Sequence, residues 1–82
     1  MEREEIKRTL YEMMSELLER EVDDIDESKA LMDELDLSSL EIMTMIADLE
    51  EQFQIQIPEN DIRGMVTVGD MIDFIYEAKK EC

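Results

Sequence analysis

The chain has 82 residues, with 24 acidic and 8 basic side chains and a net charge of −16. Its length predicts one small domain spanning residues 1–82. The charge argues against binding to nucleic acid or to an anionic membrane surface, because both kinds of binding use basic patches. The absence of histidine excludes His-activated nucleophiles and His-ligated metals.

Further features predict a cytoplasmic protein. No apolar run is long enough to span a membrane. The first residues, M-E-R-E-E-I-K-R, lack the apolar core of a signal peptide. The single cysteine, Cys82, cannot form an internal disulfide, which agrees with a reducing compartment.

The charge is unevenly distributed along the chain, because no lysine or arginine lies between Ala30 and Ile62. On its own, such an acidic block is typical of a solvated surface. Its nine acidic residues are Asp33, Glu34, Asp36, Glu41, Asp48, Glu50, Glu51, Glu59 and Asp61.

An amphipathic helix is predicted over residues 2–20, because apolar residues recur there at spacings of three and four. The residues expected to be buried are Ile6, Leu10, Met13, Met14, Leu17 and Leu18. This periodicity is lost over residues 21–37, which predicts a long loop with a short helical turn near residues 30–34. Its expected anchors to the core are Val22, Ile25, Leu31 and Leu35.

The acidic part of this loop resembles the start of a calcium-binding loop, with Asp24, Asp26 and Ser28 at its first, third and fifth positions. Lys29, however, stands where such a loop needs glycine, and Leu35 where it needs a bidentate glutamate. We therefore predict no metal site.

A second helix is predicted to follow the loop and to end at Phe53. Ser38 is a suitable N-cap, and Glu41 completes a Ser-x-x-Glu capping box. Ser39 is then the first residue inside the helix, at its positive end, where free N–H groups favour a phosphate. The apolar face is expected to comprise Leu40, Met43, Ile46, Ala47 and Leu49.

The remaining chain predicts one short helix and one long helix. Ile55 and Ile57 are expected to reach the core from a loop, before a short helix over residues 59–63 that Gly64 terminates. Thr67 should then begin the last helix, with Val68, Met71, Ile72, Phe74 and Ile75 facing inward. The predicted fold class is all-α: a small bundle of three main helices plus one short helix, with a long loop between the first two helices.

The segments L-D-L-S-S-L-E-I and L-E-E-Q-F resemble the acyl carrier proteins, which have L-G-x-D-S-L followed by E-E-x-F one helix later. I-Q-I-P-E-N and V-T-V-G-D-M-I-D-F-I resemble two further segments of that family. The order and spacing of these segments match over nearly the whole chain. In this resemblance Ser39 takes the place of the serine that carries 4′-phosphopantetheine.

The resemblance implies a carrier rather than an enzyme. A phosphopantetheinyl transferase, with Mg²⁺, would move 4′-phosphopantetheine from coenzyme A onto the hydroxyl of Ser39. The thiol of this arm would hold acyl intermediates as thioesters in fatty acid, polyketide or related lipid biosynthesis. The carrier is expected to act as a monomer. A second role is expected for Met43 and Met45, whose flexible side chains could open the core to admit an acyl chain.

The acidic block surrounds this serine, which favours a docking surface for acyl-transferring and synthase enzymes with basic faces. Three departures from the family pattern lie on this surface: Asp36 replaces a glycine, Ser38 replaces an aspartate, and Thr44 replaces a frequent glutamate. They predict a specialised carrier. The expected partner-recognition residues are Asp36, Ser38, Leu40, Glu41, Thr44, Ala47, Asp48, Glu50 and Glu51.

Two alternatives remain open at this point. The arm could carry an aminoacyl or peptidyl group, as it does in related peptidyl carriers. The chain could also be an unmodified acidic helical adaptor, since Ser38 departs from the family pattern beside the candidate serine. A standalone enzyme is poorly supported, because no nucleophile is paired with a base in the sequence.

Overall fold

The computed structural model describes residues 2–80, and Cys82 lies outside this range. Three main helices and one short helix form the fold: α1 (Arg3–Leu18), α2 (Ser39–Phe53), α3 (Glu59–Arg63) and α4 (Val68–Lys80). The predicted all-α class is confirmed. The described residues contain no helix with both the length and the hydropathy that a transmembrane span requires.

Helix α1 packs against α4 through its buried stripe of Ile6, Leu10 and Met14. The predicted stripe was too wide, because Met13 and Leu18 are only partly buried. Leu17, at the edge of the stripe, is exposed to solvent. Glu19 follows the last residue of the helix, and its φ of 54° places it in the left-handed conformation common at that position.

Helix α2 begins as the sequence predicted. The Ser38 hydroxyl accepts a hydrogen bond from the N–H of Glu41 at 3.2 Å, and the Glu41 carboxylate accepts one from the N–H of Ser38 at 3.0 Å. This capping box satisfies two backbone donors that the helix itself leaves without a partner. Ser39 is therefore held as the first residue of the helix.

The predicted apolar face of α2 was partly wrong. Leu40 and Met43 are 77% and 52% exposed, and Ala47 is exposed as well. The buried residues are instead Met45, Ile46, Leu49 and Phe53. Apolar residues in this helix cover more than one face, so their spacing alone did not identify the face that packs on α1.

The loop between α1 and α2 is ordered by backbone hydrogen bonds to the start of α4. The N–H of Leu31 donates to the carbonyl of Val66 at 2.8 Å, and the N–H of Val68 donates to Lys29 at 3.1 Å. The N–H of Gly69 donates to the carbonyl of Glu27 at 2.9 Å. A Cβ at position 69 would lie 3.1 Å from that same oxygen, so the close approach favours glycine.

The side chains of this loop partly follow the prediction. Ile25, Leu31 and Leu35 are buried anchors, and Leu37 is a fourth anchor that was not predicted. Val22 is 42% exposed, because it lies in a short 3₁₀ turn, Val22–Asp24, on the surface. The helical turn expected near residues 30–34 is present as hydrogen bonds from Glu34 and Leu35 to the carbonyl of Ala30.

The segments after α2 match the prediction closely. Ile57 is buried and Ile55 is partly buried against the core, although both lie outside the helices. The carboxylate of Asp70 accepts hydrogen bonds from the N–H groups of Thr67 at 3.1 Å and Val66 at 2.9 Å, and these bonds lower its pKa. The predicted inward face of α4 is confirmed, except that Phe74 is only partly buried.

Candidate functional site

Ser39 is exposed at the first position of α2. Its backbone N–H and that of Leu40 donate no hydrogen bond within residues 2–80. Ser39 therefore lies at the positive end of a 15-residue helix, next to two N–H groups without an acceptor. An anionic group attached to its hydroxyl oxygen would meet donors that no protein acceptor uses.

The backbone before Ser39 turns sharply at Asp36, which has a φ of 61°. This left-handed conformation favours glycine, and aspartate is one of the residues that tolerate it. Leu35 and Leu37 on either side are buried, with exposed fractions of 1% and 5%. The turn at Asp36 thus lets two successive anchors enter the core immediately before the helix exposes Ser39.

An open groove of about 400 Å³ lies beside Ser39, between α2, α3 and the loops before α2 and α4. Its lining is mainly apolar and includes Met32, Met43 and Val66, all of which are more than half exposed. Arg63 also lines the groove and pairs with Glu59 at 3.2 Å. Exposed apolar side chains that line one groove make it a candidate site for a ligand or a partner.

The sequence identified only part of this groove. Met43 was singled out in the sequence, and it lies in the groove, whereas Met45 is fully buried in the core. Met32 and Val66 were missed, because they come from two segments 34 residues apart in sequence that are joined by backbone hydrogen bonds such as that from Leu31 to Val66. The sequence signal that could have suggested them was their apolar character within predicted loops.

A second feature of the site is one outward face of α2. Leu40, Thr44, Ala47, Asp48 and Glu51 recur at helical spacing, and all five are exposed. They form the α2 face, which is continuous with Ser39 at its N-terminal end. An exposed leucine among carboxylates offers an apolar contact within an acidic surface.

The other candidate recognition residues lie around this face. Asp36, Ser38 and Glu41 are exposed at its N-terminal end. Glu50 is partly buried and faces away from the α2 face, because its carboxylate accepts a hydrogen bond from the N–H of Ile57 at 2.9 Å. This contact gives Glu50 a structural role that the sequence did not indicate.

Comparison with known proteins agrees with this arrangement. Residues 8–75 match the family model described as "Phosphopantetheine attachment site". The chain is 34% identical over 76 residues to an acyl carrier protein of Kineococcus radiotolerans, with 93% of this chain and 94% of that protein aligned. An acyl carrier protein of an Exiguobacterium species is 37% identical over 75 residues, covering 92% of this chain and 95% of the relative.

The fold is similar to that of a solved structure. The acyl carrier protein of Enterococcus faecalis superimposes with a TM-score of 0.81 and is 27% identical in sequence. The superposition covers 95% of this chain and 99% of the other. The similarity therefore includes the loop before α2 as well as the helices.

Proposed function

Because this chain belongs to the acyl carrier proteins, the family with a phosphopantetheine attachment site, we propose that Ser39 is the residue that carries the prosthetic group. Members of this family are carriers rather than catalysts, and they bind 4′-phosphopantetheine covalently. The observation that carries the proposal is the exposed Ser39 hydroxyl beside two unused N–H groups at the start of α2. A phosphodiester at this oxygen fits the charge and the free donors of the helix end.

In the proposed reaction, Ser39 is a nucleophile only within the active site of a phosphopantetheinyl transferase, which uses coenzyme A and Mg²⁺. The Ser39 oxygen forms a bond to the pantetheine-side phosphorus of coenzyme A, the pyrophosphate bond breaks, adenosine 3′,5′-bisphosphate leaves, and the hydroxyl proton passes to the transferase. No residue of this chain needs to act as the base. The chain supplies an exposed hydroxyl on a rigid helix end, and the capping box between Ser38 and Glu41 holds that end in place. The attached arm supplies a terminal thiol that holds acyl groups as thioesters.

The groove beside Ser39 would shelter the acyl chain between transfers. Its apolar wall at Met32, Met43 and Val66 can contact alkyl groups that water would otherwise surround. Met43 has an unbranched, flexible side chain that adapts to cargo of different lengths. This contact should be visible in the methyl NMR spectrum, because long-chain acyl loading would shift the Met43 methyl signal.

Partner enzymes would recognise and bind the α2 face. Acyl carrier proteins work with transferases and synthases, and the acidic face beside Ser39 suits basic docking surfaces on such enzymes. Thr44 on this face replaces a glutamate frequent among fatty-acid carriers, and Asp48 adds a charge beside Ala47. We therefore propose a specialised carrier in fatty acid, polyketide or related lipid biosynthesis.

The attachment site is tested by incubating the protein with coenzyme A, Mg²⁺ and a phosphopantetheinyl transferase of broad specificity, followed by intact-mass measurement. The wild-type chain should gain the mass of one phosphopantetheine group, and Ser39→Ala should gain none. Failure of the wild-type chain to gain mass with every transferase tried would support an unmodified adaptor instead.

Ser38→Ala is the matched control, because it removes the neighbouring hydroxyl and leaves Ser39 in place. Loss of the N-cap should lower the free energy of unfolding by about 1 kcal/mol. The variant should nevertheless gain the same mass as the wild type. If Ser38→Ala loses the mass gain and Ser39→Ala keeps it, the attachment site is Ser38 and the proposal is wrong.

Specialisation is tested with the holo-protein and a standard set of fatty-acid synthase enzymes. We expect turnover well below that of a general fatty-acid carrier assayed at the same concentration. Thr44→Glu should recover part of the difference, since it restores the charge on the α2 face. Full turnover by the unmodified chain would contradict specialisation without affecting the assignment of Ser39.

A further inference from the structure

We propose that this carrier has a second docking surface, which binds a basic amphipathic segment of a protein partner. The surface is a groove of about 870 Å³ between the C-terminal end of α2, the residues that follow it, α3 and α4. We call it the α2–α4 groove. Its floor includes Ile55, Pro58 and Phe74, and its rim includes Glu50, Asp61 and Glu77.

The α2–α4 groove lies far from Ser39 along the helix. Ser39 begins α2 and Phe53 ends it, so a rise of 1.5 Å per residue separates the two ends by about 21 Å. Ser39 does not line this groove, and neither does any residue of the α2 face. A partner seated in the groove would therefore leave the attachment site uncovered.

The rim of the groove is acidic without local compensation. No lysine or arginine is among its lining residues. Within residues 2–80, neither Asp61 nor Glu77 takes part in an ion pair, and both are exposed. The nearby cation of Lys79 is directed to the carbonyl of Phe53 at 3.0 Å. The rim therefore offers charges that a cationic partner can pair.

The floor of the groove is apolar and preformed. Phe74 and Ile55 are only partly buried, although they pack against the core. The wall is fixed by the hydrogen bond from the N–H of Ile57 to the carboxylate of Glu50. An apolar side chain of a partner could cover Phe74 with little rearrangement, and this kind of aromatic contact commonly anchors interfaces.

Charge and polarity together select the occupant. A free alkyl chain would cover the floor but would desolvate the exposed carboxylates of Asp61 and Glu77 without pairing them. A second copy of this chain carries 24 acidic and 8 basic residues, so its approach would be repulsive. A peptide segment with basic residues on either side of an apolar residue could cover the floor with its apolar side chain and pair its cations with the carboxylates of the rim. Held in this way, the carrier would keep Ser39 at high effective concentration near the partner's active site.

The test uses the full chain carrying Ser39→Ala, so that its outcome is independent of prosthetic-group loading. The probe is a short amidated Lys/Leu peptide with leucine at every third and fourth position, compared with the same peptide carrying serine in place of leucine. Binding is measured at 150 mM NaCl, where attraction between distant charges is screened beyond about 8 Å. The readouts are the dissociation constant and the backbone amide shifts.

We expect the largest amide shifts at Ile55, Phe74 and Glu77, and binding at least about tenfold tighter for the leucine peptide. Asp61→Lys with Glu77→Lys should weaken binding about tenfold or more. The matched control, Glu16→Lys with Glu21→Lys, changes the net charge equally at exposed positions outside the groove. It should weaken binding by less than about twofold, and amide spectra of both variants verify their folding.

Three results would overturn the proposal. If both double variants weaken peptide binding equally, the peptide is attracted only by the net charge of the chain and not by the groove. Amide shifts centred on Leu40 and Thr44 would place the peptide on the α2 face. Self-association of the chain without peptide, abolished by Asp61→Lys with Glu77→Lys, would make a second copy the occupant.

Discussion

Asp36 has the least favourable backbone conformation near the attachment site, with a φ of 61°. A residue with a Cβ loses about 1 kcal/mol or more in this conformation, whereas glycine does not. Asp36→Gly and Asp36→Ala remove the same charge, but only alanine retains a Cβ. We therefore expect Asp36→Ala to be about 1 kcal/mol less stable than Asp36→Gly, measured by urea unfolding.

The control for this comparison is Asp33, an exposed residue of the same loop whose φ is not positive. At Asp33 alanine should be at least as stable as glycine, because glycine adds freedom to the unfolded chain without relieving strain. Equal stabilities of Asp36→Ala and Asp36→Gly would indicate that the left-handed turn is not maintained in solution.

At the scale of the helices, local capping signals were sufficient for most boundaries, although the predicted first helix, residues 2–20, is longer at both ends than α1. Ser38, Pro58, Gly64 and Thr67 placed the start of α2, both ends of α3 and the start of α4 within one residue, because capping depends on contacts three or four residues away. The buried face of α2 was less predictable. Met43 and Met45 are equally apolar in sequence, and only contact with the other helices places Met45 inside.

The long loop shows the other limit of sequence reasoning. Its anchors could be predicted from apolar spacing, but its backbone pairing to the start of α4 joins residues more than 30 positions apart. No local pattern specifies such a contact. The same pairing brings Val66 to the groove beside Ser39, so the sequence alone did not predict that part of the groove's lining.

Glu27 connects this loop to α1 and predicts a pH dependence of stability. Its carboxylate pairs with Arg3 at 2.6 Å and with Lys7 at 3.3 Å. The hydrogen bond from Arg3, followed by that from Lys7, lowers the pKa of Glu27 despite its partial burial. The stabilisation is therefore complete above the unfolded-state pKa of about 4.3 and is lost as pH falls through the lower folded-state pKa.

We expect Glu27→Gln to lower the free energy of unfolding at pH 7 by about 1 kcal/mol, a modest value because these side chains are about one-third exposed. The deficit should stay constant from pH 7 to about 5 and disappear at lower pH, in urea unfolding at each pH. Glu16→Gln, at an exposed position without an ion pair among residues 2–80, should show no deficit. A deficit that grows on acidification would refute the ion-pair explanation.

For the whole molecule, the net charge of −16 acts over small dimensions. The described chain measures 32 × 25 × 21 Å, whereas the screening length is about 30 Å at 10 mM salt and about 8 Å at 150 mM. At low salt every carboxylate therefore repels carboxylates across the entire fold, but at physiological salt it repels only its neighbours. Salt also weakens the ion pairs of Glu27, but the excess of acidic over basic residues makes repulsion the larger effect.

We therefore expect the melting temperature to rise between 10 and 150 mM NaCl by about 4 °C or more, which for this chain length corresponds to about 1 kcal/mol. Glu16→Lys with Glu21→Lys reduces the net charge to −12 and should reduce the rise. If the melting temperature rises as much in that variant as in the wild type, the rise is an effect of the salt itself and not of the protein's net charge. Partners with basic faces reduce the repulsion among the same carboxylates. If the melting temperature of the wild type rises with salt, docking of such a partner at the α2 face or in the α2–α4 groove should therefore raise it as well.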